Sequence, residues 1–376
     1  MRKALKAVAY TQRGAEEAAE KEISELISAH ATINEKEVVF DASEDAVWKV
    51  AYCAQSIHRI GELLIREEKS DDILDQARGM INKCRWGWLK GSFKVESLTR
   101  EDPEHTAKEI EAGCGECIKA KSRNILEVDL ENPEQTILVS ATNKGISISR
   151  DITKLDLGKR TYRIFTHPQG ITGTTAFALC RIAEIKKDET ILDPFCRSGE
   201  IAIEACLARE RPVRFFEKQK LTSQPRILKW FENIDREYKK PQLGITAADP
   251  EMRNVRAAEK NAKIAGCSAI RFSKIETEWL DTRFEKESVD KIITRLPEGL
   301  DDKGGEKLLN EFFYAAEYIL RKEGVIALLT PKPEKVEEAA KKRQFIIKER
   351  RSIWQGKKEF RILLFRKEQK MEDKGL

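Results

Sequence analysis

Asp193, Pro194, Phe195, Cys196, Arg197, Ser198 and Gly199 follow one another between a short apolar run at Thr190–Leu192 and an amphipathic stretch beginning at Glu200. That order reads as strand, tight turn and helix. Such a turn presents backbone N–H groups and a helix N-terminus to a ligand carrying negative charge or lone pairs. Asp249 ends a second apolar run, ITAAD, ahead of a helical pattern over Asn254–Ala265. An acid at the end of the neighbouring strand can accept hydrogen bonds from both hydroxyls of a ribose, as in dinucleotide folds; capping of its own helix is the other reading. A third run, VDKIIT, leads into Arg295-Leu296-Pro297-Glu298-Gly299. Three strand ends therefore offer chemistry on what would be one edge of a sheet.

Cys114 and Cys117 have C-x-x-C spacing, with His105 near them in sequence. A zinc site needs a second pair or more histidines, and the cysteine pair lies inside a helical pattern, so the expectation is ordinary thiols.

The elements that must hold these residues alternate. Lys3–Tyr10 reads as a strand, Gly14–Ser28 as a helix, Glu37–Asp41 as a strand, Ser43–Ala54 as a helix with a Ser cap, and Ser56–Arg66 as a strand. Residues 1–65 thus form a ferredoxin-like, split-βαβ module. Residues 66–155 make a second α/β module: helix Asp71–Lys83, strand Ser92–Leu98, helix Thr106–Arg123, then a strand pair around Asn143-Lys144. Residues 156–376 alternate strand and helix and close on two strands separated by Gln355–Lys358, which implies a doubly wound, mostly parallel sheet with an antiparallel hairpin. The stretch 211–240, with Trp230 and Phe231, interrupts that alternation, and about fifteen residues at the tail are expected to be mobile.

The segment VDLENPEQTILVSATNKGISISRD resembles the THUMP domain, an RNA-binding module. DPFCRSGE resembles the cofactor loop of class I S-adenosylmethionine (SAM) methyltransferases that act on nucleic acid, usually D-P-F-C-G-S-G-T; Ala258, Asn261, Ala262 and Gly266 match a further family segment. Together these resemble archaeal THUMP-containing tRNA guanine-N2 methyltransferases and the N-terminal lobe of bacterial 23S rRNA guanine-N2 methyltransferases. The resemblance implies a Rossmann-like fold with SAM as cofactor. It assigns cofactor binding to the loop 193–199, the ribose contact to Asp249 and the adenine contact to Glu276. It places the acceptor pocket at Arg295, Leu296, Pro297 and Glu298, where the family has N-P-P-Y or D-P-P-Y. There the Asn or Asp accepts a hydrogen bond from the exocyclic amine and the Tyr stacks on the base, a catalysis of orientation.

Two runs depart from that pattern. Arg295 carries donors only and cannot accept from an amine, and Glu298 offers no aromatic face. Arg197 replaces a glycine that lets the cofactor come close; it either pairs with the SAM carboxylate or reaches Glu200 or Glu298 and fills the site. Two readings therefore stand: an active guanine-N2 RNA methyltransferase, and an RNA-binding relative without catalysis. A Rossmann enzyme using another nucleotide is set aside because the chain has no G-x-G-x-x-G run.

The resemblance implies an RNA partner, tRNA first, and the charge is compatible with it. The 376 residues carry a net charge of +5, and residues 331–370 hold fourteen Lys or Arg against six Glu. No apolar run of membrane-spanning length occurs, and the start MRKALKAVAY lacks a signal-peptide core. With eight scattered cysteines, these features lead to the expectation of a cytoplasmic monomer with free thiols.

Overall fold

The computed structural model describes residues 4–70, 72–99, 104–122, 125–186, 188–238 and 244–368. The final residues of the expected mobile tail lie outside that set. Two compact units emerge, Met1–Leu157 with Phe216–Glu232, and Gly158–Phe215 with Asn233–Leu376.

Unit one runs β1 (Ala4–Thr11), α1 (Glu16–Ile27), β2 (Ala31–Asn34), β3 (Glu37–Ser43), α2 (Glu44–Cys53) and β4 (Ile57–Glu67). It continues with α3 (Ile73–Lys83), β5 (Ser92–Ser97), α4 (Ala107–Lys121), β6 (Glu127–Val128), β7 (Gln135–Ala141) and β8 (Ile146–Asp151). Helices α2, α3 and α4 start where side-chain caps satisfy their free N–H groups. Ser43 Oγ accepts from the Ala46 N–H, Asp72 from the Asp75 N–H, and Thr106 with Glu109 forms a reciprocal capping box. Strand β2, a short edge strand pairing antiparallel with β3, has no counterpart in the sequence reading: ATIN is four residues with no alternation to detect.

All eight strands join one sheet in the order β2-β3-β1-β4-β8-β7-β5-β6. The boundary read at residue 65 falls within β4, which pairs antiparallel with β8 from Gly61↔Asp151 to Glu67↔Ile146. A buried polar seam crosses the same join. The Tyr10 hydroxyl meets Ser149 Oγ at 2.8 Å and Ser147 Oγ at 3.2 Å, and Ser147 Oγ donates to Glu37 Oε1 at 2.5 Å. Each hydroxyl is partnered, so burying the seam leaves no orphaned polar group among these residues.

Unit two opens with α5 (Gly173–Ile182), β9 (Thr190–Asp193) and α6 (Glu200–Glu210). The interrupting stretch follows, with α7 (Lys218–Leu221) and α8 (Pro225–Glu237). Its residues 216–232 pack in unit one: Phe231 stacks on Tyr52 with centroids 4.1 Å apart, and Arg226 pairs with Glu44 at 3.3 Å. Unit two resumes with β10 (Gly244–Asp249), α9 (Met252–Ala265), β11 (Ile270–Lys274), α10 (Leu280–Arg283) and β12 (Val289–Arg295). It closes with α11 (Lys303–Ile319), β13 (Leu320–Thr330), α12 (Pro333–Lys342), β14 (Phe345–Gln355) and β15 (Lys358–Lys367).

The strand order β11-β10-β9-β12-β13-β15-β14 is parallel throughout except for the final hairpin, where β15 runs antiparallel to both neighbours. From β9 the chain crosses to β10 and on to β11, then returns to β12 on the other side of β9, so the order reverses beside β9. Ligands of open α/β sheets bind at such a switch point, beyond the strands' carboxyl ends. That is where Asp193, Asp249 and Arg295 end their strands. No helix of the described residues is long and apolar enough to cross a membrane.

Candidate functional site

Strand β9 ends at Asp193, and the chain turns through 194–199 into α6. The turn is pinned from β10: the Cys196 N–H donates to the Ala248 carbonyl at 2.9 Å and the Arg197 N–H to Asp249 Oδ2 at 3.0 Å. Gly199, at φ 86°, caps α6, and a Cβ there would stand 2.9 Å from Ala258 Cβ on α9. The two helices close on a position that only glycine fills without displacement.

Asp249 is 3% exposed. Besides the Arg197 N–H, its carboxylate accepts from the Glu251 N–H at 3.0 Å and from Asn254 Nδ2 at 2.9 Å. It therefore holds the 193–199 turn and the start of α9 together. Asn261, one turn from Ala258, accepts from the Ile164 and Phe165 N–H groups at 3.3 and 3.0 Å. It donates to the Phe165 and Ser198 carbonyls, both at 2.9 Å.

Arg197 sits at φ 48° and is 6% exposed. Its Nη1 donates to the Phe195 carbonyl at 3.3 Å and to the Arg295 carbonyl at 2.7 Å, and its Nη2 to Gln169 Oε1 at 3.2 Å. Arg295 completes a lattice from the other side. Its Nη1 donates to the Gln169 and Gly170 carbonyls and its Nη2 to Glu298 Oε1 at 2.7 Å, while its guanidinium lies 5.0 Å from the Phe360 ring centroid. Glu298 also takes Lys358 Nζ at 2.6 Å. Of the two alternatives that fill the site with Arg197, neither carboxylate is its hydrogen-bond partner. Arg295 reaches Glu298, and Arg163 reaches Glu200 at 3.3 Å. Gln169 bridges the two arginines, and sequence reasoning missed it; the turn residues Pro168 and Gly170 beside it were the available signal.

The electrostatics follow from burial. Arg295 is pushed down to about 10 by desolvation and by the neighbouring Arg197, so it stays charged at neutral pH. Asp193 is raised to about 7 by burial, against the Thr294 hydroxyl that donates to it at 2.6 Å. Burial likewise raises Glu200, which Arg163 partly offsets. Lys358, with Arg295, holds Glu298 below the usual carboxylate range.

Gln169, Asp193, Phe195, Arg197, Glu200 and Arg295 line the space between the two turns, a cavity of about 10 Å³. That is room for about one water molecule. Sites for cofactors run to several hundred Å³, about 300–1,000. That cavity is lined by neither Asp249 nor Glu276, the residues expected to hold the ribose and adenine of SAM. The remaining expected residues scatter. Pro194 lies in the turn, and Cys196 lines the cavity with its thiol raised by burial. Ser198 Oγ is buried without a partner, and Leu296 is fully buried with its N–H on the Leu329 carbonyl at 3.1 Å. Pro297 is half-buried, and Glu276 is exposed beside Lys274 at 3.6 Å, outside the cavity lining.

The C-x-x-C pair lies on α4. Cys114 is raised by burial to about 12, and Cys117 Sγ sits 3.7 Å from both the Arg78 carbonyl and Asn82 Oδ1. His105 turns instead to Asp72 at 3.3 Å.

Known proteins carry the same two parts. Residues 160–358 match the family model described as RMKL-like, methyltransferase domain, and residues 68–151 match the THUMP domain. The tRNA (guanine(6)-N2)-methyltransferase of Methanocaldococcus jannaschii is 27% identical over 341 residues, covering 86% of this chain and 89% of that protein. The enzyme of the same name from Archaeoglobus fulgidus is also 27% identical, with coverage of 84% and 81%. Among solved structures, TrmN from Thermus thermophilus aligns with a TM-score of 0.72 at 24% identity, covering 96% of this chain and 99% of that one. A putative methyltransferase complexed with SAH aligns with a TM-score of 0.77 at 20% identity, covering 98% and 100%. These structural likenesses concern the fold.

Proposed function

The chain belongs to the RMKL-like methyltransferase family, with a THUMP domain ahead of that domain, and from this premise we propose that it binds tRNA, as a monomer, without transferring methyl groups. The observation that carries this reading is the arginine lattice. Two guanidinium groups and Gln169 take up the space between the 193–199 turn and the 295–299 turn, leaving about 10 Å³. The position that must accept a hydrogen bond from a guanine amine holds Arg295, a donor only. Where a base would stack on tyrosine stands Glu298, engaged by Arg295 and Lys358. Base stacking on an aromatic ring contributes about 1–3 kcal/mol, and the site lacks it. What the residues do is hold one another: Asp249 and Asn261 position the turn, and Arg197 and Arg295 lock it.

A second reading is favoured by the named activity of relatives that align along 86% and 84% of the chain. In it the chain moves methyl from SAM to the exocyclic N2 of guanosine in tRNA. Asp193, Asp249, Asn261, Pro297 and Gly299 would serve that reaction, provided the Arg197 side chain swings out.

Calorimetric titration of the full chain with SAM and S-adenosylhomocysteine, paired with transfer of labelled methyl to unmodified tRNA transcripts, separates the two. The expected outcome is no heat of cofactor binding and no label in RNA, with the transcripts still shifted on a native gel. Label that disappears on Asp249→Ala establishes the enzyme instead.

A further inference from the structure

We propose that Cys206, Glu210 and Cys267 form a binding site for one thiophilic divalent cation, zinc before others. Their three ligand atoms lie within 4.8 Å of one another. Cys206 and Glu210 stand four residues apart on α6, hence on one face of the helix. Cys267 arrives from the other side, directly after Gly266, which ends α9 in the left-handed conformation at φ 75°. The Cys267 N–H donates to the Ala262 carbonyl at 2.9 Å, and its Sγ lies 3.9 Å from the Ile203 carbonyl.

The surroundings suit such a cation. Cys206 is fully buried, Cys267 is 3% exposed and the Glu210 side chain 8% exposed, so the three ligand atoms are largely shielded from water. Two thiolates and a carboxylate carry three negative charges. A divalent ion leaves one, and Arg211 supplies the balancing positive charge: its Nη2 is 3.7 Å from Glu210 Oε2 and donates to the Gly266 carbonyl at 2.9 Å. Partners of this kind, which orient a ligand through its second oxygen or its own backbone, tune metal sites. Two sulfurs and one oxygen, with water as the fourth ligand, match tetrahedral zinc; magnesium and calcium require shells of oxygen. A thiol must lose its proton to bind the ion, so affinity rises with pH. The ion would join the far end of the helix that leaves the 193–199 turn to the end of the helix that follows Asp249. Neither residue set touches the cavity between the turns.

The test uses the full chain, reduced, stripped with chelator and titrated with cobalt(II). One equivalent should bind with a thiolate-to-cobalt charge-transfer band, and zinc should displace it. Cys267→Ser should weaken binding at least tenfold and dim the band. Glu210→Gln should weaken binding while leaving the band, because both sulfurs remain. Substituting the fully buried Cys206 endangers the fold, so these two variants carry the test, and the double variant Cys114→Ser/Cys117→Ser should bind as the native chain does. A band that survives Cys267→Ser, that vanishes in the Cys114/Cys117 variant, or that never forms overturns the site. So does a Cys206–Cys267 disulfide in protein purified with zinc present.

Discussion

At φ 48° Arg197 occupies the left-handed region, which costs a residue with a Cβ about 1–2 kcal/mol. Its three guanidinium hydrogen bonds offset that cost, each to a neutral acceptor on a different segment. On the proposed reading, Arg197→Gly removes the strain and opens the space that Arg197 fills. The expected outcome is little change in urea midpoint and the appearance of S-adenosylhomocysteine binding by calorimetry. Methyl transfer should still be absent until Arg295→Asn and Glu298→Tyr are added. Asp193 makes a separate prediction. Burial raises its pKa from 3.8 to about 7, so between those values the folded state holds a proton that the unfolded state releases. Its stabilisation is complete below about pH 4 and is lost as pH rises through about 7, at most about 4 kcal/mol. Asp193→Asn should remove that fall from a series of urea unfolding curves taken across the window. Asp151, raised to about 6 by burial, leaves a smaller total fall of the same sign.

Among the elements, α6 and α9 carry the site, and they meet where Gly199 faces Ala258. Gly199→Ala adds a Cβ at φ 86° and 2.9 Å from another, so a loss of about 2–3 kcal/mol in unfolding free energy is expected by chemical denaturation. Asn261→Ala should cost a similar amount, about 2–4 kcal/mol, because two N–H groups and two carbonyls lose their partner at once. The strands that position the site were legible in sequence because buried parallel strands are short apolar runs with acids or turns at their ends, as in ILDP and ITAADP. The helices were legible where a cap announces them, at Ser43 and Thr106. Strand β2 was not, being four residues with neither alternation nor a turn motif, and α8 was hidden by its charge. The identities of Arg197 and Arg295 were visible as departures from a pattern, but their mutual arrangement was not. Gln169, which joins them, comes from a loop well before either strand in sequence, and spacing does not reveal such contacts.

For the molecule as a whole, tRNA binding without a base pocket would rest on phosphate contacts. Affinity for tRNA transcripts should then fall at least tenfold between about 50 and 200 mM salt, read by filter binding, and an affinity indifferent to salt would remove RNA as the partner. The eight-stranded sheet has a consequence for how the chain is made. β4 is complete at Glu67, yet the strand that covers its open side, β8, begins only at Ile146. At about 5–20 residues per second, ribosomes would leave that strand edge uncovered for several seconds on every nascent chain. An exposed edge is a template for pairing with another chain. Polysomes crowd such chains together, so a pause in translation within residues 68–145 should aggregate this protein where a pause after 151 would not.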